Sequence, residues 1–261
     1  MQHVLRPLYA VVLIAGAIAA LVFTSHESVS AKSPTKSAET LSEWFPISHL
    51  TEEADDLMAK LAKDIASEAS YKMKKKLVVQ NAYTLAIVAH GVSEHEKNAD
   101  GSWKTHALGL RDAARQLADA ENFSDAKQAL DKVSSLHKGE GAAPETVSLK
   151  WEEVADLTAL MASVNRRNLL VRRGIRRPRP GTARHTTIIS LLTYAARSDH
   201  SAVKDAGTAE SWESLCDTLI KDYSALRSLI EAGKKADANK AMRNAVKSCS
   251  NCHKIFRPDV E

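Results

Sequence analysis

The sequence has few of the residues that build β folds and disulfide scaffolds. Of its 261 residues only 5% are aromatic, and there are 10 glycines, 7 prolines and 3 cysteines. Barrels and sandwiches need many turns and strands rich in β-branched or aromatic residues, which this composition does not supply. Three cysteines are too few for a disulfide scaffold. We therefore expect an all-α fold. No grouping of nucleophile and base indicates a hydrolase, and we do not expect an enzyme.

The N-terminal segment is typical of an export signal. Arg6 precedes an uninterrupted apolar run at residues 8–23, and the small residues Val29–Ala31 suit a signal-peptidase site. We expect residues 1–31 to be a signal peptide or, alternatively, an N-terminal membrane anchor, because the run is only slightly short for a crossing. Residues 32–48 are predicted to be a polar tether. The folded part is therefore predicted to be periplasmic or otherwise exported, either soluble or anchored.

The rest of the chain carries an internal repeat. Residues 51–62 and 151–162 are identical at six of twelve positions, and two further matches follow in the same order. The repeat predicts two tandem antiparallel four-helix bundles, at residues 49–138 and 149–261, joined by a linker at 139–148. Helices are expected near 51–75, 77–93, 102–119 and 124–137 in the first unit, and near 149–172, 185–198, 209–231 and 234–256 in the second.

One short motif carries chemistry. Cys249, Cys252 and His253 form a C-x-x-C-H sequence, the attachment signature of c-type haem. On a helix, positions i, i+3 and i+4 share one face, so two thiols reach the two vinyl groups of one porphyrin and the imidazole falls beneath the iron. A redox C-x-x-C at a helix N-terminus, a zinc site and a structural disulfide are the rival interpretations, and each fits the sequence less well.

The C-terminal unit resembles cytochrome c-prime and its class II relatives, in which this motif lies in the last helix of a bundle. The resemblance covers roughly residues 149–258 and is most specific at Cys249–Arg257. It implies one covalent haem c, with His253 as the proximal iron ligand. It also implies that Lys254 and Arg257 screen the haem propionates, with a solvated helix end as the alternative. Phe256 packs either on the haem or in the core.

The sixth iron ligand decides the function that the resemblance implies. Low-spin members use a Met from the first helix and transfer electrons, whereas the c-prime type leaves this position open and binds small gases. Met161 lies in the first helix of the second unit, and the repeat pairs it with Leu61 in the first unit, which has no cysteine. We therefore predict single-electron transfer with Met161 and His253 as axial ligands. The alternatives are a five-coordinate haem that binds nitric oxide or carbon monoxide, and an interaction protein that uses the haem-free bundle. A core Met161 that only fills a gap is the structural alternative.

Charge is distributed unevenly between the two units. Residues 32–147 carry a net charge of −3 and residues 148–261 a net charge of +7, with eight arginines between Arg166 and Arg184. This segment is expected to dock an acidic redox partner protein, to touch an anionic membrane or the acidic first unit, or to be a solvated loop. Nucleic acid is not expected, and the sequence does not indicate an oligomeric state.

Two smaller features complete the sequence-based expectations. Cys216 has no partner in sequence and is expected to be a buried free thiol. The group His90, Glu94, His95 and Glu96 has no recognised ligand spacing, so a solvated helix end is favoured over a metal site.

Overall fold

The computed structural model of the protein describes residues 40–97, 102–140, 145 and 147–257, and these residues are helical or lie in short connections, with no strand among them. The all-α prediction is therefore confirmed. The described residues belong to one compact unit that begins at Thr40. The predicted export segment and residues 32–39 of the predicted tether lie outside the described residues. In the rest of that segment Leu41–Trp44 and the start of Ile47–Asp64 are helical and Phe45 is fully buried, so residues 40–48 belong to the folded unit rather than to a polar tether. Within the described part, no helix is long and apolar enough to cross a membrane.

A first helix set comprises one short and four long helices. The break between its first two long helices falls at residues 65–67 rather than near residue 76 as predicted. The Ser67 side chain accepts a hydrogen bond from the backbone N–H of Ser70 and so begins the second long helix at Glu68. The set is α1 (Leu41–Trp44), α2 (Ile47–Asp64), α3 (Glu68–Glu94), α4 (Ser102–Ala118) and α5 (Phe123–His137).

A second helix set also comprises one short and four long helices. The helix predicted over 149–172 is divided, because the Asp156 carboxylate accepts a hydrogen bond from the N–H of Ala159 and starts a new helix. That helix continues to Arg176, past its predicted end. The set is α6 (Trp151–Val154), α7 (Leu157–Arg176), α8 (Thr182–Arg197), α9 (Ala209–Glu231) and α10 (Lys235–Phe256), with short 3-10 turns at His200–Ala202 and Ala206–Thr208.

The long helices of the second set run alternately up and down. Arg167 lies beside His185, and Gly174 lies beside Thr182, so α7 and α8 are antiparallel. The Trp212 indole donates to the carbonyl of Ala196, and Ser190 donates to the carbonyl of Ile220, which makes α8 and α9 antiparallel as well. The Asp222–Ser248 hydrogen bond and the Trp212–Phe256 ring contact do the same for α9 and α10. The start of α7 and the end of α10 therefore lie at the same end of the set.

The helices of the two sets contact one another in the same order. In each set every long helix packs on the next one along the chain, and the first also contacts the last. The two sets share one apolar core, with α3 and α8 in its middle. Gly91 on α3 allows the close approach, because a Cβ there would lie 3.3 Å from the Leu191 side chain on α8.

A buried ion pair joins the two sets. The Glu53 carboxylate on α2 is fully buried and accepts hydrogen bonds from Arg167 on α7, at 2.7 Å, and from Arg184 on α8, at 3.0 Å. Burial opposes its charge, but the two guanidinium groups hold the pKa of Glu53 below its ordinary value. Burial and Arg167 lower the pKa of neighbouring His185 to about 4. The imidazole is therefore neutral at pH 7 and adds no further positive charge.

Replacing the buried carboxylate is expected to destabilise the fold. Glu53→Gln leaves Arg167 charged and only 2% exposed without its counter-ion, which typically costs about 3 kcal/mol or more. Urea unfolding followed by circular dichroism measures this loss. Glu52→Gln is the matched control, because the Glu52 side chain is 57% exposed and such a pair contributes less than about 1 kcal/mol. Equal losses in both variants would contradict the role given to Glu53.

Candidate functional site

The C-x-x-C-H motif lies in the last turns of α10. Cys249 and Cys252 are half-buried, whereas His253, one position further along, is exposed. Spaced i, i+3 and i+4 along the helix, the three side chains lie on one side of it. The backbone N–H of Arg257 closes the last turn on the carbonyl of His253 at 2.8 Å. The helix therefore remains regular through the whole motif.

Cys249 packs against α7 and α9. Its thiol is in hydrogen-bonding contact with Tyr223 on α9 and Asn168 on α7, and the Tyr223 hydroxyl donates to the Asn168 side-chain oxygen. Burial raises the pKa of Cys249, and these polar contacts offset part of that effect. The thiol is thus protonated at neutral pH and is held at the boundary of three helices.

Cys252 lies one turn closer to the end of α10. Burial raises the pKa of its thiol to about 11, and the neighbouring Cys249 adds to the effect. Cys216 on α9 is buried, as predicted, and burial together with Cys252 raises its pKa to about 12. The structure thus brings together three cysteines that the sequence separates into a pair and a distant single residue.

Met161 lies at the same end of the second helix set as the motif. It precedes Asn168 by two turns of α7, or about 10 Å along the axis, and His253 follows Cys249 by one turn of α10. Because α7 and α10 are antiparallel, both displacements point the same way. Met161 is half-buried and packs against the apolar core. We call this region, formed by Leu157–Met161 and Cys249–Arg257, the motif end.

The other residues suggested by the resemblance also lie at the motif end. Lys254 and Arg257 are exposed, which leaves them free to face charged groups in solvent. Phe256 is half-buried, and its ring meets that of Trp212 edge to face at a centroid distance of 5.1 Å. Phe256 thus packs on α9, which agrees with a core role for this residue.

The equivalent end of the first helix set is closed. Leu61, which the repeat pairs with Met161, is fully buried. Leu136 near the end of α5 is also buried, and the next residue, His137, lies 2.9 Å from Asp55 on α2. In α10 the last fully buried residue is Ala245, and the helix continues for three more turns that contain the motif.

The group around His90 is not a solvated helix end, contrary to expectation. His90 and His95 are each 2% exposed, and a ring nitrogen of His95 lies 2.8 Å from the carbonyl oxygen of Phe45. Glu96 accepts hydrogen bonds from the first two N–H groups of α1. These side chains therefore hold the start of the first set. Among the described residues, no three or more His, Cys, Asp or Glu side chains gather as a metal site.

The arginine-rich segment divides into two groups. Arg166, Arg167 and Arg184 turn inward to the first helix set, where Asn81, Glu53, Glu52 and Asp56 receive them. This is the contact with the acidic first unit that the sequence offered as one alternative. The remaining five are exposed in the last turns of α7 and in the connection that follows it, and we call them the arginine patch: Arg172, Arg173, Arg176, Arg177 and Arg179.

The residues of the motif end fit a covalently attached haem. The donor set is two half-buried thiols and an exposed imidazole, spaced i, i+3 and i+4 along one helix, which is the set that haem c requires. A thioether sulphur from Met161 is available at the same end. Comparisons with protein-family models, with curated proteins and with solved structures gave no match to this chain.

Sequence reasoning missed the side chains that surround the thiols. Asn168 and Tyr223 carry no motif, and only the register of three helices brings them to Cys249. Trp212 gave a weak signal, because it lies in one of the repeat matches. The proximity of Cys216 to Cys252 follows from the antiparallel packing of α9 on α10, which a linear motif does not contain.

Proposed function

We propose that this protein is an exported c-type cytochrome that carries one covalent haem on the second helix set and transfers single electrons. The arrangement of Cys249, Cys252 and His253 at the end of α10 carries the proposal. Both thiols are half-buried against neighbouring helices, and the imidazole follows on the same helix face. The export signal predicted from the sequence agrees with it, because haem c is attached after translocation.

The chain's own residues would hold and tune the group. Cys249 and Cys252 would supply the two thioether links, and His253 the proximal nitrogen. Met161 is the proposed second axial ligand, an arrangement that raises the reduction potential of the iron. When bound, the haem supplies a one-electron couple. Asn168 and Tyr223 contact Cys249 and would thereby position the thiol that carries the group.

Covalent attachment is the first test of the proposal. The chain, produced in a host that attaches haem c to exported proteins, is expected to gain the mass of one haem that survives acid-acetone extraction. Cys249→Ser with Cys252→Ser removes both links and is expected to abolish the mass gain. Cys216→Ser is the matched control, because it changes the cysteine outside the motif and is expected to retain the haem. A chain that carries only its polypeptide mass would contradict the proposal.

The axial role of Met161 is tested by absorption spectroscopy. The reduced protein is expected to show a low-spin spectrum that carbon monoxide does not change, and Met161→Ala is expected to convert it to a high-spin, gas-sensitive spectrum. Met242→Leu alters a buried methionine of α10 and is the matched control, expected to keep the low-spin spectrum. An unchanged spectrum in Met161→Ala would overturn the ligand assignment.

One observation favours the second candidate function. Met161 packs against the apolar core, as a methionine that fills a gap does. If it remains there, the sixth position is open and the protein is a five-coordinate haem protein that binds nitric oxide or carbon monoxide. A wild-type spectrum that shifts with carbon monoxide would support this function over electron transfer.

We infer that electrons are exchanged at the motif end rather than at the arginine patch. Arg176 lies fifteen residues along α7 from Met161, or about 22 Å along the helix axis. This distance exceeds the screening length of about 8 Å at physiological ionic strength. The arginine patch would therefore bind an anionic partner without bringing it to the haem, whereas exposed Lys254 and Arg257 lie beside the motif.

Charge-removal variants distinguish the two surfaces. With hexacyanoferrate, an anionic oxidant, Lys254→Gln with Arg257→Gln is expected to lower the second-order rate of haem oxidation at low ionic strength by up to about tenfold. Arg176→Gln with Arg177→Gln removes the same charge from the arginine patch and is expected to leave the rate nearly unchanged. Stopped-flow absorption measures both rates. A larger effect from the arginine-patch variant would contradict electron exchange at the motif end.

A further inference from the structure

Cys216 and Cys252 face each other between α9 and α10. The two helices are antiparallel and pack along their lengths. Trp212 and Phe256 fix the register at one point, with ring centroids 5.1 Å apart. Cys216 is one helical turn after Trp212, and Cys252 is one turn before Phe256. Because the helices are antiparallel, moving one turn forward along α9 and one turn back along α10 covers the same distance in the same direction. The two cysteines are therefore opposite each other.

A second contact confirms this register on the other side of the pair. The Ser248 hydroxyl, four residues before Cys252, donates to the Asp222 carboxylate at 2.7 Å. Cys216 thus lies on the stretch of α9 between two residues, Trp212 and Asp222, that each touch α10. The thiols also interact electrostatically, because Cys252 contributes to the raised pKa of Cys216. Cys249, in contrast, is turned toward Tyr223 and Asn168.

We propose that Cys216 and Cys252 form an interhelical disulfide in the protein before haem attachment. The oxidant is a disulfide such as oxidised glutathione. It reaches the half-buried thiol of Cys252 before the buried thiol of Cys216. Cys252 attacks one oxidant sulphur and releases one thiol, and Cys216 then attacks the mixed disulfide and releases the second. One sulphur–sulphur bond breaks and one forms. The protein loses two hydrogen atoms, and the oxidant gains them as two thiols.

The pairing with Cys216 is preferred over a bond within the motif. Cys249 and Cys252 are on the same helix, where their Cα–Cβ bonds tilt in the same direction and do not point toward each other. Cys216 approaches Cys252 from a different helix. The bond would tie the end of α10 to α9. No residue of α10 after Ala245 is fully buried, so this end of the helix has few other contacts that hold it.

The consequence for the haem rests on the proposed function, whereas the bond itself does not. Cys252 is one of the two thiols that would carry the haem, so a disulfide with Cys216 blocks attachment until it is reduced. Cys216 would then be a resolving cysteine that protects the thiol of Cys252 from other oxidants. The two claims are separable, because the disulfide can be mapped in protein that has never held haem.

Peptide mapping of the haem-free full chain tests the bond. The folded chain is oxidised with oxidised glutathione, its free thiols are alkylated, and it is digested with trypsin without reduction. We expect one alkylated thiol, on Cys249, in place of three in the reduced chain. The peptide Asp205–Lys221 is expected to be linked to the peptide Ser248–Lys254. A bond between Cys249 and Cys252 within the second peptide, or three alkylated thiols after oxidation, would overturn the proposal.

Three serine variants complete the test. Cys249→Ser is the matched control and is expected to retain the link between the two peptides, because it removes only the motif thiol outside the pair. Cys252→Ser and Cys216→Ser are each expected to abolish it. Circular dichroism confirms that each variant is folded. A link that persists in Cys252→Ser would show that Cys216 pairs with Cys249 and would also overturn the proposal.

Discussion

The buried ion pair between Glu53 and Arg167 is the constraint on which the arrangement of the second helix set depends. A fully buried carboxylate is tolerated only because Arg167 and Arg184 reach it from two different helices. Those two contacts fix the rotation of α7 and α8 about their axes and their position along α2. The next residue after Arg167 is Asn168, which faces the other way and meets Tyr223 and Cys249. The same turn of α7 therefore bonds the first helix set on one side and the candidate site on the other.

This arrangement gives the first helix set a structural role. Its α2 and α3 helices cover α7 and α8 through the shared apolar core and through polar contacts such as that of Arg166 with Asn81, at 2.5 Å. The first set carries no cysteine, and its equivalent of Met161 is a buried leucine. The first set has a packed end, whereas the last helix of the second set extends beyond its buried residues. The first set thus stabilises the second through packing, and this role requires no sequence motif.

The sequence predicted much of the fold because the relevant signals are local. The bounds of α9 were predicted correctly and those of α10 to within one residue, since Gly233, with a positive φ of 68°, separates them. The early start of α3 and the late start of α7 were not foreseen. Each depends on a single capping side chain, Ser67 or Asp156, within a stretch whose apolar pattern is continuous. Helix boundaries set by one hydrogen bond leave little trace in hydrophobic periodicity.

In the candidate site, too, the local pattern was predictable and the contacts with distant residues were not. The spacing of Cys249, Cys252 and His253 lies within five residues and was visible as a motif. Their surroundings include Asn168, 81 positions before Cys249, so only the packing of α7, α9 and α10 assembles them. The inward arginines have the same origin, because a run of positive charge in the sequence does not reveal which members meet a buried carboxylate. A linear motif specifies which atoms are available for bonding to a cofactor. The register of the surrounding helices specifies how deeply those atoms are buried and which neighbour, Tyr223 or Cys216, each thiol meets.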